Sequence, residues 1–287
     1  MTSQTEHALK KEALRAVSEV VVRHLGVSQV DPEFLHHSQH ISILLPSMAT
    51  VARMLQGTRD VIAERLSREL AVACHLSKRR APIVLPSLRY AAGPHFHDGF
   101  GLTFWHYIEH IPANEDDPAH MASAADVLRL VHEALADYSG ELPYFADKTG
   151  KCRALLERDG ALPNLRDADR RFLLTTYHRI VASLEGLSPT LVPIHGDAGL
   201  HNVFITPEGA CYSDLEDVSL GPREWDVGWL GDNHLAAFEP INRDLLLTLS
   251  DLRSLCVSVW CFSKAEMLPN KLEAAEYHLG YLKGRFG

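Results

Sequence analysis

Two polar side chains lie at the open end of one predicted β-hairpin. Asn202 opens an apolar stretch that ends at Thr206, and Asp214 closes the stretch that begins at Ala210. The intervening Pro-Glu-Gly segment predicts a tight turn between antiparallel strands. If Thr206 lies opposite Ala210, the register places Asn202 directly opposite Asp214, with Cβ atoms about 4.5–5.5 Å apart. A register slip of one residue would make the two diagonal neighbours and leave them close.

An amide oxygen and a carboxylate at that separation suit a hard divalent cation. Mg²⁺ takes one or two protein oxygens and completes its shell with water and phosphate. Asp197 precedes Asn202 in the chain and is placed to accept a proton from a hydroxyl group. A base beside shielded phosphates is the arrangement of phosphoryl transfer. The alternative is that Asp and Asn only cap a loop, but the carboxylate that the hairpin returns favours chemistry.

A charged residue interrupts the apolar face of a helix predicted at residues 60–80. At about 100° per residue, Glu69 falls within the stripe formed by Ile62 and Leu66. A buried carboxylate is costly unless a cation pairs with it. The preceding strand supplies Arg53 on the appropriate face. The pattern predicts either a structural ion pair or the glutamate–cation pair that positions nucleotide phosphates in kinases.

The secondary-structure pattern changes along the chain from strands to helices. Predicted helices cover residues 6–25, 60–80, 121–137, 165–185 and 244–281. Predicted strands cover His40–Leu45 and Ala49–Leu55, with strand-like sequence at 83–108 and a short β region at 190–214. Strands followed by helices indicate an α+β fold with a boundary near residues 109–118.

The composition indicates a soluble globular protein. Its net charge is −9, and the one short basic run, Lys78-Arg79-Arg80, does not suggest a nucleic-acid partner. Five scattered cysteines without a C-x-x-C pair indicate a reducing compartment. The polar N-terminus is unlike a signal peptide, and no apolar run approaches the roughly 18–20 residues of a spanning helix. We therefore expect a cytoplasmic protein without a membrane partner, whose oligomeric state these features do not indicate.

Three motifs in combination point to one family. They are His195-Gly-Asp197-Ala-Gly-Leu-His-Asn202, Ser213-Asp214-Leu-Glu-Asp217 and Glu224-Trp-Asp226-Val-Gly228. With them the sequence closely resembles the aminoglycoside phosphotransferase and choline kinase superfamily. The resemblance implies a protein-kinase-like bilobal fold. Its small N-terminal antiparallel-sheet lobe would cover residues 1–108, and its larger, mainly helical lobe residues 109–287.

The resemblance also implies roles for individual residues of the catalytic loop and the hairpin. Asp197 would be the catalytic base, and His195 beside it would hold the backbone of the loop. Asp226 would brace the same loop. Asn202 and Asp214 would be the Mg²⁺ ligands.

By the same resemblance, a nucleotide, ATP or GTP, would bind against the N-terminal part of the chain. Arg53 would contact its phosphates, and Glu69 would orient that arginine. The backbone from His106 to Ile108 would hold the adenine base.

The sequence departs from the family pattern at two places. The loop expected to cover the phosphates, near Leu35–Ile43, has no glycine, and glycine is what lets backbone amides approach phosphate closely. Ser38 and the neighbouring histidines would have to substitute for those amides. Arg53 stands where the family often has lysine, and it keeps the charge while adding a planar fork of donors.

We expect an ATP-dependent O-phosphotransferase that moves the γ-phosphate to a hydroxyl of a small molecule. Aminoglycosides, choline-like amino alcohols, homoserine-like metabolites and sugars are open as acceptors, and the acidic net charge slightly favours a cationic one. Glu216 and Asp217 would either shape an acidic acceptor pocket or only solvate a loop. Two other functions stay open. One is a catalytically impaired nucleotide-binding module, and the other is a metal-dependent hydrolase that uses His195, Asp197 and His201.

Overall fold

The structure, a computed structural model, separates into two compact units. It describes residues 3–38, 40–265 and 270–287. The first unit comprises Met1–Glu141 and Asp197–Val218, and the second comprises Leu142–Gly196 and Ser219–Gly287. The candidate hairpin therefore belongs to the same unit as the N-terminal sheet. The division into lobes at residues 1–108 and 109–287 stays a prediction.

A five-stranded antiparallel sheet is the base of the first unit. Its strands are β1 (Glu33–His37), β2 (Ile41–Leu45), β3 (Thr50–Gln56), β4 (His95–His97) and β5 (Phe100–His106). They lie in the order β1-β2-β3-β5-β4. The strands predicted at His40–Leu45 and Ala49–Leu55 are confirmed to within one residue, and a 3-10 turn at Pro46–Met48 joins them.

Helices pack on both faces of this sheet. They are α1 (Ser3–Val20), which continues into a π-helical turn at Val21–Leu25, and α2 (Arg59–Lys78). The small and branched side chains of α1, such as Ala16 and Val17, share a core cluster with Met54 of β3. Leu55, the next residue of β3, clusters instead with Ile62 and Leu66 of α2. Because successive strand residues point to opposite faces, α1 and α2 cover opposite sides of the sheet.

Glu69 lies in the buried stripe of α2, as predicted. Its side chain is only 1% exposed, among buried neighbours that include Leu66 and Leu70. Arg53 of β3 alternates onto the same face of the sheet as Leu55, which α2 covers. The helix and the strand thus bring a carboxylate and a guanidinium to one interface.

One helix and three short strands complete the first unit. They are α3 (Pro118–Leu135), β6 (Ile111–Pro112), β8 (Val203–Thr206) and β9 (Gly209–Tyr212), and the strands lie in the order β6-β8-β9. Helix α3 begins where the Asp117 carboxylate accepts the amides of Ala119 and His120, which caps its N-terminus. The amide of Tyr212 donates to the Pro82 carbonyl at 2.9 Å, which anchors the hairpin to the segment that follows α2.

The second unit is mainly helical. Its helices are α4 (Phe145–Glu157), α5 (Asp167–Leu187), α6 (Arg223–Val227), α7 (Arg243–Lys264) and α8 (Asn270–Phe286). A small antiparallel pair of strands, β7 (Val192–Ile194) and β10 (Ser219–Gly221), lies with them. Helix α4 has no counterpart among the predicted helices. Its buried face is interrupted by the polar Thr149, and Gly150 follows, so burial of Cys152 and Leu156 in the core, not local periodicity, defines it.

Helix α7 is the apolar centre of the second unit. By length and composition it is able to span a membrane, which corrects the expectation that no segment has that character, but 67% of its apolar window is buried inside the protein. Leu252, Leu255 and Val259 share a core cluster with Leu279 and Leu282 of α8. Helix α7 has the burial of a core helix.

Gly101 lets α2 approach the sheet, because a Cβ built there collides with Ile62 Cγ2 and lies 2.9 Å from Leu66 Cδ1. We expect Gly101→Ala to lower the free energy of unfolding by about 1–3 kcal/mol, the usual cost of overpacking. The matched control is Gly150→Ala in α4, where no heavy atom of the described residues, outside its own helix, lies within 4 Å of such a Cβ. That change should stabilise by about 0.5–1 kcal/mol. Urea unfolding measures both, and equal effects would contradict the packing argument.

Candidate active site

The hairpin is present, but its register differs by one residue from the predicted one. Thr206 pairs with Gly209. Asn202 consequently lies opposite Ser213, whose amide donates to the Asn202 carbonyl at 2.8 Å. The predicted direct pairing of Asn202 with Asp214 is wrong, and the two are diagonal neighbours at the open end of the hairpin.

The turn explains the shift in register. The Thr206 hydroxyl donates to the carbonyl of Gly209 at 2.7 Å and accepts from the amide of Glu208 at 3.2 Å. These bonds close a turn of two residues instead of three. Gly209 has a φ of 131°, which favours glycine and allows it to join the strand directly.

Asp214 leaves the strand with a left-handed backbone at φ 58°. Asp and Asn are the non-glycine residues that tolerate this region best. Asp214 lies two residues beyond the end of β9 at Tyr212, so strand alternation does not set the direction of its side chain. Its Oδ1 accepts a hydrogen bond from Nη2 of Arg53 at 2.8 Å, with 32% of the side chain exposed.

Asn202 holds Asp197 by its amide group. Its Nδ2 donates to the backbone carbonyl of Asp197 at 2.9 Å and approaches the carboxylate oxygen Oδ2 at 3.2 Å. Since both partners are acceptors, the nitrogen of the amide must face Asp197 and the oxygen must face away. The roles of Asp197 as a base and of Asn202 as a metal ligand stay predictions.

The Arg53–Glu69 pair is formed, and it extends to Asp214. Nη1 of Arg53 contacts Glu69, and Nη2 contacts Asp214. Burial lowers the pKa of Arg53, but the charges of Glu69 and Asp214 outweigh burial and raise it, so the guanidinium stays charged. One arginine therefore links the buried glutamate of α2 to the end of the hairpin.

A second ion pair lies beside the first and was not found from the sequence. Glu216 is buried, and its Oε2 lies 2.6 Å from Nη2 of Arg65 on α2 and 3.1 Å from Nε2 of His40. Burial opposes ionisation of Glu216, but the nearby His40 imidazole and the charges of Arg65 and Arg53 lower its pKa to about 2. The acceptor-pocket role of Glu216, and of the half-buried Asp217, stays a prediction.

His40 bridges the two ion pairs. Its Nδ1 lies 3.2 Å from Nη2 of Arg53, and an arginine only donates hydrogen bonds. Nδ1 is therefore the acceptor, and the proton on Nε2 faces Glu216. Single ligand atoms of His40, Asp214 and Glu216 lie within 4.8 Å of one another, but Arg53 and Arg65 already neutralise the two carboxylates.

The segments expected to cover and hold a nucleotide are formed without glycine. Strands β1 and β2 make the covering hairpin, and the amide of Ser38 donates to the His40 carbonyl at 2.9 Å in its turn. The amide of His106 donates to the carbonyl of Leu85 at 2.9 Å, and the carbonyl of Ile108 accepts from the His110 ring. The nucleotide contacts of Ser38, His106 and Ile108 stay predictions.

Asp226 accepts hydrogen bonds from the backbone of the two residues that precede Asp197 in the chain. Its two carboxylate oxygens accept the amides of His195 at 2.7 Å and Gly196 at 2.9 Å, and all three residues lie in the second unit. The His195 side chain is fully buried, so it is placed to shape this segment. A catalytic role for its imidazole stays a prediction.

Arg253 of α7 was not singled out from the sequence. Its guanidinium donates to the Trp225 carbonyl and stacks on the rings of Trp225 and Trp229, at 5.0 and 4.7 Å from their centroids. A Cβ at Gly228 would lie 2.9 Å from Nη1 of Arg253. The sequence carries a signal for this residue, because an arginine inside an apolar helix needs polar partners when it is buried, as Glu69 does.

Comparisons with known proteins found one matching family. The model of the phosphotransferase enzyme family matches residues 58–249, well over half of the chain. A comparison with curated proteins found no match.

Several solved structures share the fold. The GDP and kanamycin complex of APH(2'')-IIIa has a TM-score of 0.73 at 16% identity and covers 94% of this chain and 99% of that one. A choline/ethanolamine kinase family protein from Mesorhizobium loti has a TM-score of 0.66 at 15% identity, covering 96% and 94%. APH(3'')-Id from Streptomyces rimosus with ADP and streptomycin has a TM-score of 0.63 at 17% identity, covering 84% and 98%. The predicted protein-kinase-like fold is confirmed.

The buried Glu216 ion pair makes a testable contribution to stability. We expect Glu216→Gln to lower the free energy of unfolding by about 2 kcal/mol, because it leaves Arg65 and His40 without their carboxylate. The control is Glu64→Gln, also on α2, whose side chain is 80% exposed and pairs with Arg68 of the same helix at 3.2 Å. That change should cost about 0.5 kcal/mol or less. Denaturant unfolding at neutral pH measures both, and a neutral Glu216→Gln would contradict the role assigned to the pair.

Proposed function

Because the chain belongs to the phosphotransferase enzyme family, we propose that it is a small-molecule kinase that moves the γ-phosphate of ATP, or of GTP, to a hydroxyl group. One observation carries the proposal. Asp197 is held by the amide of Asn202, and Asp214 ends the same hairpin against Arg53. Asp197, Asn202, Asp214 and Arg53 all lie in one compact unit, which supports their proposed use as a base, two oxygen donors and a cation for phosphate.

The donor set fits Mg²⁺, the ion that this family implies. The Asn202 nitrogen faces Asp197, which leaves its oxygen as the donor, and the carboxylate of Asp214 is partly exposed. One amide oxygen and one carboxylate are the few protein ligands that Mg²⁺ takes when phosphate and water complete its shell. When bound, Mg²⁺ would neutralise charge on the phosphate oxygens.

The side chains then divide the reaction between them. Asp197 accepts the proton as the acceptor hydroxyl attacks the γ-phosphorus. Asn202 keeps the Asp197 carboxylate in place through its Nδ2. Arg53, oriented by Glu69, contacts the phosphates with its planar fork of N–H donors. In doing so it exchanges its bond to Asp214 for bonds to the nucleotide.

Two observations favour the alternative, a catalytically impaired nucleotide-binding module. The turn over the phosphates has no glycine, and Arg53 engages Asp214, a candidate metal ligand. A hydrolase that uses the His195 imidazole has less support, because that side chain is fully buried. The acceptor is proposed to be a small hydroxyl compound, with a cationic one favoured by the net charge of −9.

The enzyme is proposed to work in the cytoplasm. All five cysteines lie within the described residues and are free thiols. Free thiols are typical of reducing compartments.

Nucleotide binding is tested by thermal unfolding. ATP with Mg²⁺ should raise Tm, because a ligand at about 100 times its Kd stabilises the folded state by roughly 2.7 kcal/mol. Asp214→Asn should remove most of the rise, since it deletes a charged ligand while Asn tolerates the left-handed backbone. Asp116→Asn, at an exposed loop position, should keep it. An unchanged Tm at millimolar ATP and GTP would contradict nucleotide binding and with it the proposed kinase function.

Phosphoryl transfer is tested by mass spectrometry. The protein is incubated with ATP, Mg²⁺ and a panel of aminoglycosides, amino alcohols and sugars, and one acceptor should gain a phosphoryl group. Asp197→Asn should slow the transfer by about 100- to 10,000-fold, the usual contribution of a general base. Nucleotide binding without transfer to any acceptor or to water would favour the impaired module.

A further inference from the structure

His201 turns back toward Asp197 although most of its ring is in solvent. Its side chain is 60% exposed, yet Nε2 lies 3.4 Å from Oδ2 of Asp197. Asn202 approaches the same oxygen with Nδ2 at 3.2 Å. Two neighbouring residues of one 3-10 turn, Leu200–Asn202, thus point donors at one carboxylate oxygen.

Gly199 is the residue that makes this position of the ring possible. A Cβ built on Gly199 would collide with Cε1 of His201 and would lie 2.6 Å from its Nδ1. The backbone does not require glycine there, because Gly199 has a φ of −66° and a ψ of 155°, which any residue adopts. The absent side chain therefore serves the His201 ring and not the turn.

A carboxylate accepts hydrogen bonds and does not donate them, so the His201 ring must present the Nε2–H tautomer to Asp197. The contact is long, as hydrogen bonds around a catalytic group often are before substrate binds. Donors on one oxygen restrict rotation of the carboxylate and fix the direction of the other oxygen.

We propose that His201 is a positioning residue for Asp197, seated in the space that Gly199 leaves, and that it orients the carboxylate toward the acceptor hydroxyl. The inference rests on the proposed function. In the reaction, the acceptor O–H bond breaks and its proton passes to the Asp197 carboxylate. The acceptor oxygen bonds to the γ-phosphorus, and the bond from that phosphorus to the bridging oxygen breaks to release the nucleoside diphosphate.

The kinetic test removes the His201–Asp197 contact in two independent ways, by deleting the imidazole and by adding a Cβ at Gly199 that collides with it. His201→Ala should lower kcat by about tenfold and leave the KM values for nucleotide and acceptor within about twofold, because only the orientation of the base changes. Gly199→Ala keeps the imidazole but displaces it, and it should lower kcat similarly. The double variant should be no slower than His201→Ala, because both changes remove one contact.

Two further variants separate positioning from a structural role. His201→Gln restores a donor of similar reach and should recover most of the lost kcat. His178→Ala, at another exposed histidine, should leave kcat unchanged. Additive losses in the Gly199→Ala/His201→Ala variant would overturn the proposal. So would a His201→Ala variant with wild-type kcat, or one that raises only the KM for the acceptor, which would make His201 a substrate contact.

A readout without turnover keeps this inference distinct from the proposed function. At a pH well above the usual pKa of histidine, ¹⁵N spectra of the ring should show His201 as the Nε2–H tautomer. Asp197→Ala and Gly199→Ala should each change that signal. If the wild type transfers no phosphate but shows this tautomer dependence, the kinase function fails and the His201–Asp197 contact stands. A His201 signal that neither variant changes would overturn the contact and with it the positioning role.

Discussion

The arrangement of the site depends on a buried charge that cannot be left alone. Glu69 lies inside the apolar stripe of α2, where an unpaired carboxylate would cost several kcal/mol. Arg53, on the face of β3 that α2 covers, supplies the necessary cation, so the pair fixes how α2 lies on the sheet. The same guanidinium reaches Asp214, and the position of the hairpin end follows from it. Helix, sheet and hairpin are therefore joined by one arginine.

His40 and Glu216 extend this constraint to the turn over the proposed nucleotide. His40 accepts from Arg53 and faces Glu216, which pairs with Arg65. The turn is thus tied to the interior by a buried side chain. The turn has no glycine, and the buried His40 side chain fixes its position. Each of the two buried glutamates, Glu69 and Glu216, thus has an arginine partner, Arg53 and Arg65 respectively.

The features that local patterns determine could be predicted from the sequence. Helical periodicity identified Glu69 as a buried charge, strand alternation indicated Arg53 as its partner, and the Pro-Glu-Gly turn indicated the hairpin. The register could not be predicted, because it depends on whether the Thr206 hydroxyl closes a turn of two residues or of three. Helix α4 escaped detection because its burial, not its periodicity, stabilises it. The contacts of His40 and Arg65 join residues far apart in the chain, and no local spacing marks them.

The apolar character of α7 has a consequence for how the chain is made. The partners that share its core cluster include Leu279 and Leu282 of α8, which leave the ribosome only after α7 has emerged. Until then the face of α7 that α8 covers stays exposed, and a long exposed apolar face resembles the segments that membrane-targeting factors and chaperones bind. Any chain interrupted before α8 keeps that surface uncovered. Soluble expression of fragments will therefore depend more on retaining α8 than on retaining any residue of the candidate site.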